Sequence, residues 1–555
     1  MANFYWFSNS ATANNWGQTG ANCRWYSGSG GTGTHYTAAP TSADNAIFDA
    51  NSGTAACTFA AGYTANCLSL LCNGLTGSSP TTTQITSAAG VTINVNQDVS
   101  LSASQIFDVK QYPTVVMTGT TPATISTNGN SFGSLTIDKG TGSVTLNDDL
   151  IGIGNAILTL LSGTFNANNK NVTFGAFTTS GTASRTLTMG SGTWTMLFEG
   201  ESTSVPITSW NIASTSGLTF NKDTATIRMI HAANDPTSNQ SLIIGLKNAF
   251  TNLSTTIDIT DIAGFPASGY VLIGNEVVQY VGTNTATKQL GTTSLTRGYG
   301  GTTIASNVPA GAAVAAVLFG NSTLAAPIVS GVAAPISVID ASIYPQSGTV
   351  YIGTEVIAYA GTNLTTNQLG TTTVGTPAQN HSTTDPVYAY QAKYFVGGGL
   401  TYNNVVFGCF GYKIKNYIYG ANTFTNIKNS DAGFTWATNS DKYPGFQELA
   451  FEAGLTNVIS GPLSFTGTSS YQQRVDSQTA GTRTTLSISP ASTGWYVGTN
   501  SVDGGNNLNL YYSNGSSNYI YWKDVIGLPN IAPPVVTGGP PNTKLSITVS
   551  PMMSI

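Results

Sequence analysis

Charge is what this sequence has least of. Lys, Arg, Asp and Glu together make up 8% of its 555 residues, against about 25% in an ordinary soluble domain. The net charge is −5, with no basic excess. That excludes the electrostatic footprint of a nucleic-acid or anionic-membrane binder. Histidine is almost as scarce: His35, His231 and His381 lie far apart in the chain. No local histidine pair offers a metal site, and no local Ser/His/Asp arrangement offers a nucleophile. The Gly-rich "GSGGTG" at 28–33 lacks the lysine of a phosphate-binding loop, so it reads as a plain loop and no cofactor is expected. The most apolar stretch, 311–339, is broken by Gly, Asn and Pro, which excludes a membrane-spanning helix there. The opening "MANFYWFSNS" has neither a basic nor an apolar leader segment; the expectation is a chain made in a cytoplasm and not exported by the general secretory route. Cysteine is limited to Cys23, Cys57, Cys67, Cys72 and Cys409. An odd count without a leader points to buried free thiols. Zinc on Cys67 and Cys72 is the weaker reading, because no pair of histidines completes the site.

What fills the space is Gly (62 residues), Thr, Ser, Asn and Ala. A disordered chain would be poor in β-branched and aromatic residues. Here hydrophobics reach 40% and aromatics 10%. The economical fold is all-β, built from short strands and Gly/Asn turns. The chain is too long for one compact core. So few charges suggest that neighbouring copies cover much of the surface.

Residues 1–80 are aromatic-rich, with Trp6, Trp16 and Trp25 close together. They read as a cap over an exposed sheet end, with a docking surface as the alternative. Over 81–250 a rhythm sets in: "SLTI" at 134, "SVTL" at 143, "ILTL" at 157, "NVTF" at 171 and "TLTM" at 186. After the first step the spacing is 14 to 15 residues. Each segment alternates, putting apolar residues on one face and Thr on the other. A regular series of such strands predicts an elongated β-solenoid or β-helix-like body, with a stacked sandwich as the alternative. Uncharged Thr and Asn rows can stack without like-charge repulsion.

Two β modules follow, at 251–320 and 330–390. "FPASGYVLIGNEVVQYVGTNTATKQLGTT" at 265–293 echoes "YPQSGTVYIGTEVIAYAGTNLTTNQLGTT" at 344–372, with an offset of 79. Each predicts a hairpin with a two-residue turn, Gly274-Asn275 or Gly353-Thr354, of type II′. Glu276 and Glu355 sit just past the turns. Such an acid can accept backbone N–H bonds, and Glu276 can pair with Arg297 in "LTRG". The second copy reads "TVGT" there and has no arginine. A catalytic acid needs a matching partner in both copies; a structural role is therefore expected. Strands at 311–317 and 385–390 close the modules. Residues 391–530 form a β-rich C-terminal part, and 531–555 a Pro/Gly-rich tail.

Glycosidase chemistry requires paired carboxyls across a groove. Candidate pairs are Glu199 with Glu201, Asp148 with Asp149, and Glu448 with Glu452 in the helix-compatible "FQELAFEAG". Solvated acid pairs are far commoner, and no catalytic or metal residue is assigned. The better handle is aromatic: Trp495, Tyr496, Tyr511, Tyr512, Tyr521 and Trp522 lie amid Asn and Gly. Flat rings with amide neighbours suit a glycan or a protein partner; the plain alternative is the core of a terminal β domain.

The stretches "YWFS…NNW…PTSADNAIFDANSG", "LTLLSGTFNANNKNVTFGAF…RTLTMGSGTW" and "GYVLIGNEVVQY…TSLTRGYGGTT" resemble bacteriophage virion structural proteins, the Gly/Thr/Asn-rich components of tails, fibres and capsid appendages. The resemblance covers most of the chain and implies a non-enzymatic particle component located in the virion. It implies a tail fibre or spike acting as a homo-oligomer, with a trimer favoured, in contact with other virion proteins and a host-surface glycan. The alternatives are a capsid decoration or head fibre protein and a β-helix polysaccharide depolymerase.

Overall fold

The computed structural model describes residues 1–9, 15–73, 85–102, 112–152, 156–197, 208–230, 243–274, 276–299, 304–317, 321–341, 344, 347–352, 355–383, 385–408, 413–428, 447–461, 463–464, 473–479, 482 and 484–488, and the strands at 496–499, 510–513, 520–523 and 525–526. The fold is all-β. Among the described residues the helical segments are two short 3-10 turns, Gly20–Asn22 and Ser29–Gly31.

Most strands stack in parallel into three ladders. The first runs from Asn45–Asp49 through Leu70–Asn73, Val99–Ser100 and Ala123–Ser126 to Arg185–Thr188 and Leu218–Asn221. The second starts at Thr64–Cys67, Thr92–Val95 and Thr114–Met117 and passes through Ala176–Thr179 and Thr208–Ile212. It continues through Pro386–Val396, Lys413–Tyr419, Gln447–Phe451 and Gln473–Ser477 to Ile520–Lys523. The third runs from Ser131–Phe132 through Leu150–Gly152, Val172–Phe174, Thr193–Met196 and Thr226–Met229 to Thr401–Phe407 and beyond. The long strands Leu135–Leu146 and Ile157–Asn166 serve the second ladder with their first half and the first ladder with their second half.

Alternation decides what faces inward. Along the second ladder, Ala65, Ile93, Val115, Leu135, Leu158, Phe177, Trp210, Phe395, Ile418 and Phe451 are partners in register, and all are fully buried. Each such large side chain contributes about 1.5–3 kcal/mol of transfer free energy. The outward rows are Thr and Asn, as Thr136, Thr159 and Thr178 show. Amide pairs link the rungs: Asn94 Nδ2 donates to Asn66 Oδ1 at 3.0 Å, and Asn426 Nδ2 to Asn404 Oδ1 at 2.8 Å.

The 14–15-residue rhythm is not the rung repeat. "SLTI" and "ILTL" belong to the second ladder, "SVTL" and "TLTM" to the first and "NVTF" to the third. Each 14–15-residue step passes over one strand segment and lands on a different ladder. Rung partners are further apart, at 22 residues for Asp149 and Asn171 and 33 for Thr188 and Asn221.

Few cations exist, and Lys139, Arg185, Arg228 and Lys393 among them are buried. Lys139 Nζ donates to the Asn96 and Thr118 carbonyls, both at 2.6 Å. Buried Arg185 donates to the carbonyls of Ala183, Ser214 and Ser216. At the N-terminal end, Trp6, Trp16 and Trp25 are fully buried, with Trp25 edge-on to Trp6 at 5.2 Å and to Trp16 at 4.8 Å. Their indoles belong to the core of this end of the chain. Cys23, Cys57, Cys67 and Cys72 are free and buried, and burial pushes the Cys57, Cys67 and Cys72 thiols far up, so they pack as apolar groups. Cys409 lies outside the described residues.

The two modules sit between successive rungs. Thr226–Met229 pairs directly with Thr401–Phe407, Thr226 against Asn404, although the modules intervene in the chain. In the first module an antiparallel sheet is ordered Ile243–Gly245, Ala313–Val317, Ser268–Ile273, Glu276–Asn284, Gln289–Thr296 and Ile257–Asp258. The second repeats that order with Asn321–Thr323, Pro386–Val396, Ser347–Ile352, Glu355–Asn363, Gln368–Val374 and Ile336–Ser337. Its closing strand, Pro386–Val396, runs on into the second ladder, welding module to body. Both copies carry a bulge at a glycine, Gly282 (φ 87°) and Gly361 (φ 84°). A Cβ there would meet a threonine Oγ1 at 2.5 Å in each copy.

Candidate functional site

The hairpin acids occupy equivalent places. Ile273 pairs with Glu276, and Ile352 with Glu355, across two-residue turns. Gly274 has φ 59°, as a primed turn demands; Asn275 and the Gly353-Thr354 turn lie outside the described residues.

Glu276 is fully buried. Arg297 grips it with two bonds, Nε to Oε1 and Nη2 to Oε2, both 2.7 Å. The backbone N–H groups of Gly298 and Ala305 each add a bond at 2.8 Å. Arg297 is itself held by the Thr251 carbonyl at 2.7 Å and lies 4.1 Å over the Phe250 ring. Burial alone would push the Glu276 carboxyl up. The bonds from Arg297, Ala305 and Gly298, together with the Arg297 charge, outweigh it and hold the carboxyl below the usual range.

Glu355 has a different partner. His381 Nε2 lies 2.9 Å from its Oε2, and the Ala378 and Gln379 N–H groups donate at 2.5 and 3.2 Å. Asp385 Oδ2 lies 3.6 Å from His381 Nδ1. Against the upward push of burial, the Ala378, His381 and Gln379 bonds and the His381 charge hold the Glu355 carboxyl low as well. Sequence reading finds Arg297, which follows the first repeat four residues on, and misses His381, nine residues beyond the second. Glu276 takes four hydrogen bonds from the chain's own groups and Glu355 three.

The other acids behave alike. Asp148 accepts the Thr127 and Asn128 N–H groups, both at 2.7 Å, and Asp149 accepts from Asn171 N at 2.8 Å and Nδ2 at 2.9 Å. Glu448 lies in the strand Gln447–Phe451, not in a helix. In-register pairing places it against Lys415, with a 2.7 Å ion pair. Glu452 accepts the Gly420 N–H at 2.8 Å. Glu199 and Glu201 lie outside the described residues, as does His231. His35 Nε2 is 2.7 Å from the Cys23 carbonyl.

Of the aromatic candidates, Trp495 lies outside the described residues. The backbone places Tyr496 on Tyr496–Thr499, Tyr511 and Tyr512 on Leu510–Ser513, and Tyr521 and Trp522 on Ile520–Lys523. These strands are neighbours: Tyr511 is opposite Tyr521, Tyr512 opposite Val497, and Trp522 opposite Leu510. Ile520–Lys523 is the described end of the second ladder, paired with Gln473–Ser477. No protein-family model, curated protein sequence or solved structure matches this chain.

Proposed function

We propose that this chain is a structural component of a bacteriophage virion, a tail fibre, spike or similar appendage that works as a homo-oligomer and is assembled in the host cytoplasm. In this reading the three parallel ladders are the faces of one β-solenoid, interrupted by the two modules and resumed after them. The observation that carries it is the placement of exposed apolar side chains. Apart from Met1 and Leu161, every exposed large hydrophobic among the described residues lies in the inserted segment: Leu253, Val281, Ile304, Val329, Val332, Ile339, Val356 and Leu364. A body clad in Thr and Asn with its apolar surface gathered on side modules suits a rod whose subunits meet through those modules. The bonds that Glu276 and Glu355 receive from the chain's own groups support an architectural role for the repeat. Contact with other virion proteins and with a host-surface glycan completes the reading.

Light scattering on the purified chain, with and without SDS and heat, tests it. A resistant trimer is the expected result. A monomer at every concentration, combined with no label on intact particles from a gold-conjugated antibody, would sink the proposal.

A further inference from the structure

The two modules differ in what lies against one face of their sheets. In the first, Leu272 pairs with Val277 and with Ala315 on the neighbouring strands. All three are buried. They pack in one cluster with Ile151, Leu197 and Ile230 of the body. The repeat offset of 79 puts Tyr351 and Val356 in the places of Leu272 and Val277. They pair in the same register, and Tyr351 lies opposite strand position Tyr388 on its other side. The chain leaves this face open at Val356, which is 47% exposed, whereas Val277 is 0% exposed.

The open face continues into the body. Pro386–Val396 pairs with Ser347–Ile352 over 387–390 and with Lys413–Tyr419 over 390–396, so the second module and the second ladder share one sheet. Positions 388 and 394 are an even number of residues apart on that strand, and the pleat brings the row of Tyr351 and the row of Tyr394 to one face. The outward rows change character here. Thr159, Thr178 and Asn211 are followed in register by Val396 and Tyr419, and Thr208 by Tyr394 and Tyr417. The Tyr394 and Tyr417 rings stack at 4.9 Å and 8°. Charge alternates in sign across this stretch, Lys415, Glu448 and Arg474 being register partners, with a 2.7 Å ion pair between the first two.

We propose that this face is the contact surface for a second copy of the chain, anchored on Val356 and extended by the tyrosine rows. The first module shows what such a face packs against: the ladders of this same chain, at Ile151, Leu197 and Ile230. That seat is already filled by the first module in every copy. The second module's face therefore meets a different ladder surface, and the tyrosine rows of a second copy supply it. Tyrosine offers large contact area at low side-chain entropy and is enriched at protein interfaces. Charges of alternating sign are complementary to themselves, so two copies meet here without like-charge repulsion. The inference rests on the homo-oligomer reading and names the surface on which it depends.

The test is light scattering on the full chain across a dilution series, wild type beside V356E and L253E. V356E places a charge where the contact would strip its water. It should raise the concentration at which half the assembly dissociates by about tenfold or more. An assembly too tight to dilute is read instead by its resistance to SDS, which V356E should remove. Leu253 is an exposed leucine of the first module, outside this face, and L253E should change nothing. Hydrogen exchange on the wild type needs no variant: dissociation should lower protection in Glu355–Asn363 and Lys413–Tyr419 and leave Glu276–Asn284 unchanged. A wild-type assembly that V356E leaves intact overturns the assignment and leaves the homo-oligomer reading standing. Equal losses in V356E and L253E overturn it in the same way. A wild type that is monomeric at every concentration overturns both, and gives the face to a partner of another kind.

Discussion

The two copies of the hairpin module share a backbone and differ in how they hold one carboxylate. In the first, Arg297 closes a bidentate pair on a fully buried Glu276. In the second, the residue aligned with Arg297 is Thr376, and His381 reaches Glu355 from beyond the repeat. The bulges, the strand order and the acid's place after the turn are the same. What the module requires is an acid whose lone pairs organise the returning segment, at Gly298 and Ala305 in one copy and Ala378 and Gln379 in the other. The donor that completes the set is interchangeable. His381 can be recruited because its backbone is bridged to Ile328, with N–H to O bonds of 3.0 Å in both directions.

The sharpest break in this comparison is R297A. It leaves a buried carboxylate with its cation gone and should cost about 3–5 kcal/mol, read as lost hydrogen-exchange protection in Glu276–Asn284 while Glu355–Asn363 is unchanged. H381A should cost less, about 1.5–3 kcal/mol for one charge-assisted bond, because the Glu355 side chain is 11% exposed and keeps its two backbone donors. Equal losses in the two variants would refute the ranking. Removing the bulge glycines tests the shared backbone: G282A and G361A should each destabilise by more than about 1 kcal/mol, and by the same amount, since both force an L-residue to positive φ against a threonine.

Acid gives a subtler contrast. Both carboxyls are held below the ordinary 4.5. Their contribution is therefore complete above that value and is lost as pH falls through the lower native value. Exchange protection should fall in both hairpins on acidification, more in the first, where burial is complete; E276Q should remove the acid dependence of that hairpin alone. The smallest effect expected is that of T376R, which supplies the missing arginine where Glu355 is already satisfied. It should change stability by no more than about 0.5 kcal/mol, and a large gain would mean that Glu355 is under-bonded.

Much of the body is legible in the chain because β alternation is local. Leu135, Leu158 and Phe177 announce their inward face by their neighbours, and Thr136, Thr159 and Thr178 their outward one. Glu276 with Arg297 is legible because Arg297 follows the first repeat by four residues. The strand at Glu448 is not: "FQELAFEAG" has helix-compatible spacing, and pairing with Lys413–Tyr419 and Gln473–Ser477 overrides it. Propensity is weak beside two flanking strands.

By itself, then, the sequence determined the β class, the uncharged stacking rows, the duplicated hairpin and one ion pair, since each depends on residues close in the chain or on composition. Only the tertiary structure decided that the even strand rhythm steps between three ladders, that the modules are inserted between paired rungs, that His381 serves Glu355, and that the second module leaves open the sheet face that the first one buries. Each of these depends on which distant strands are neighbours. Many pairings bury the same alternating apolar faces, and register is selected only when the whole stack closes.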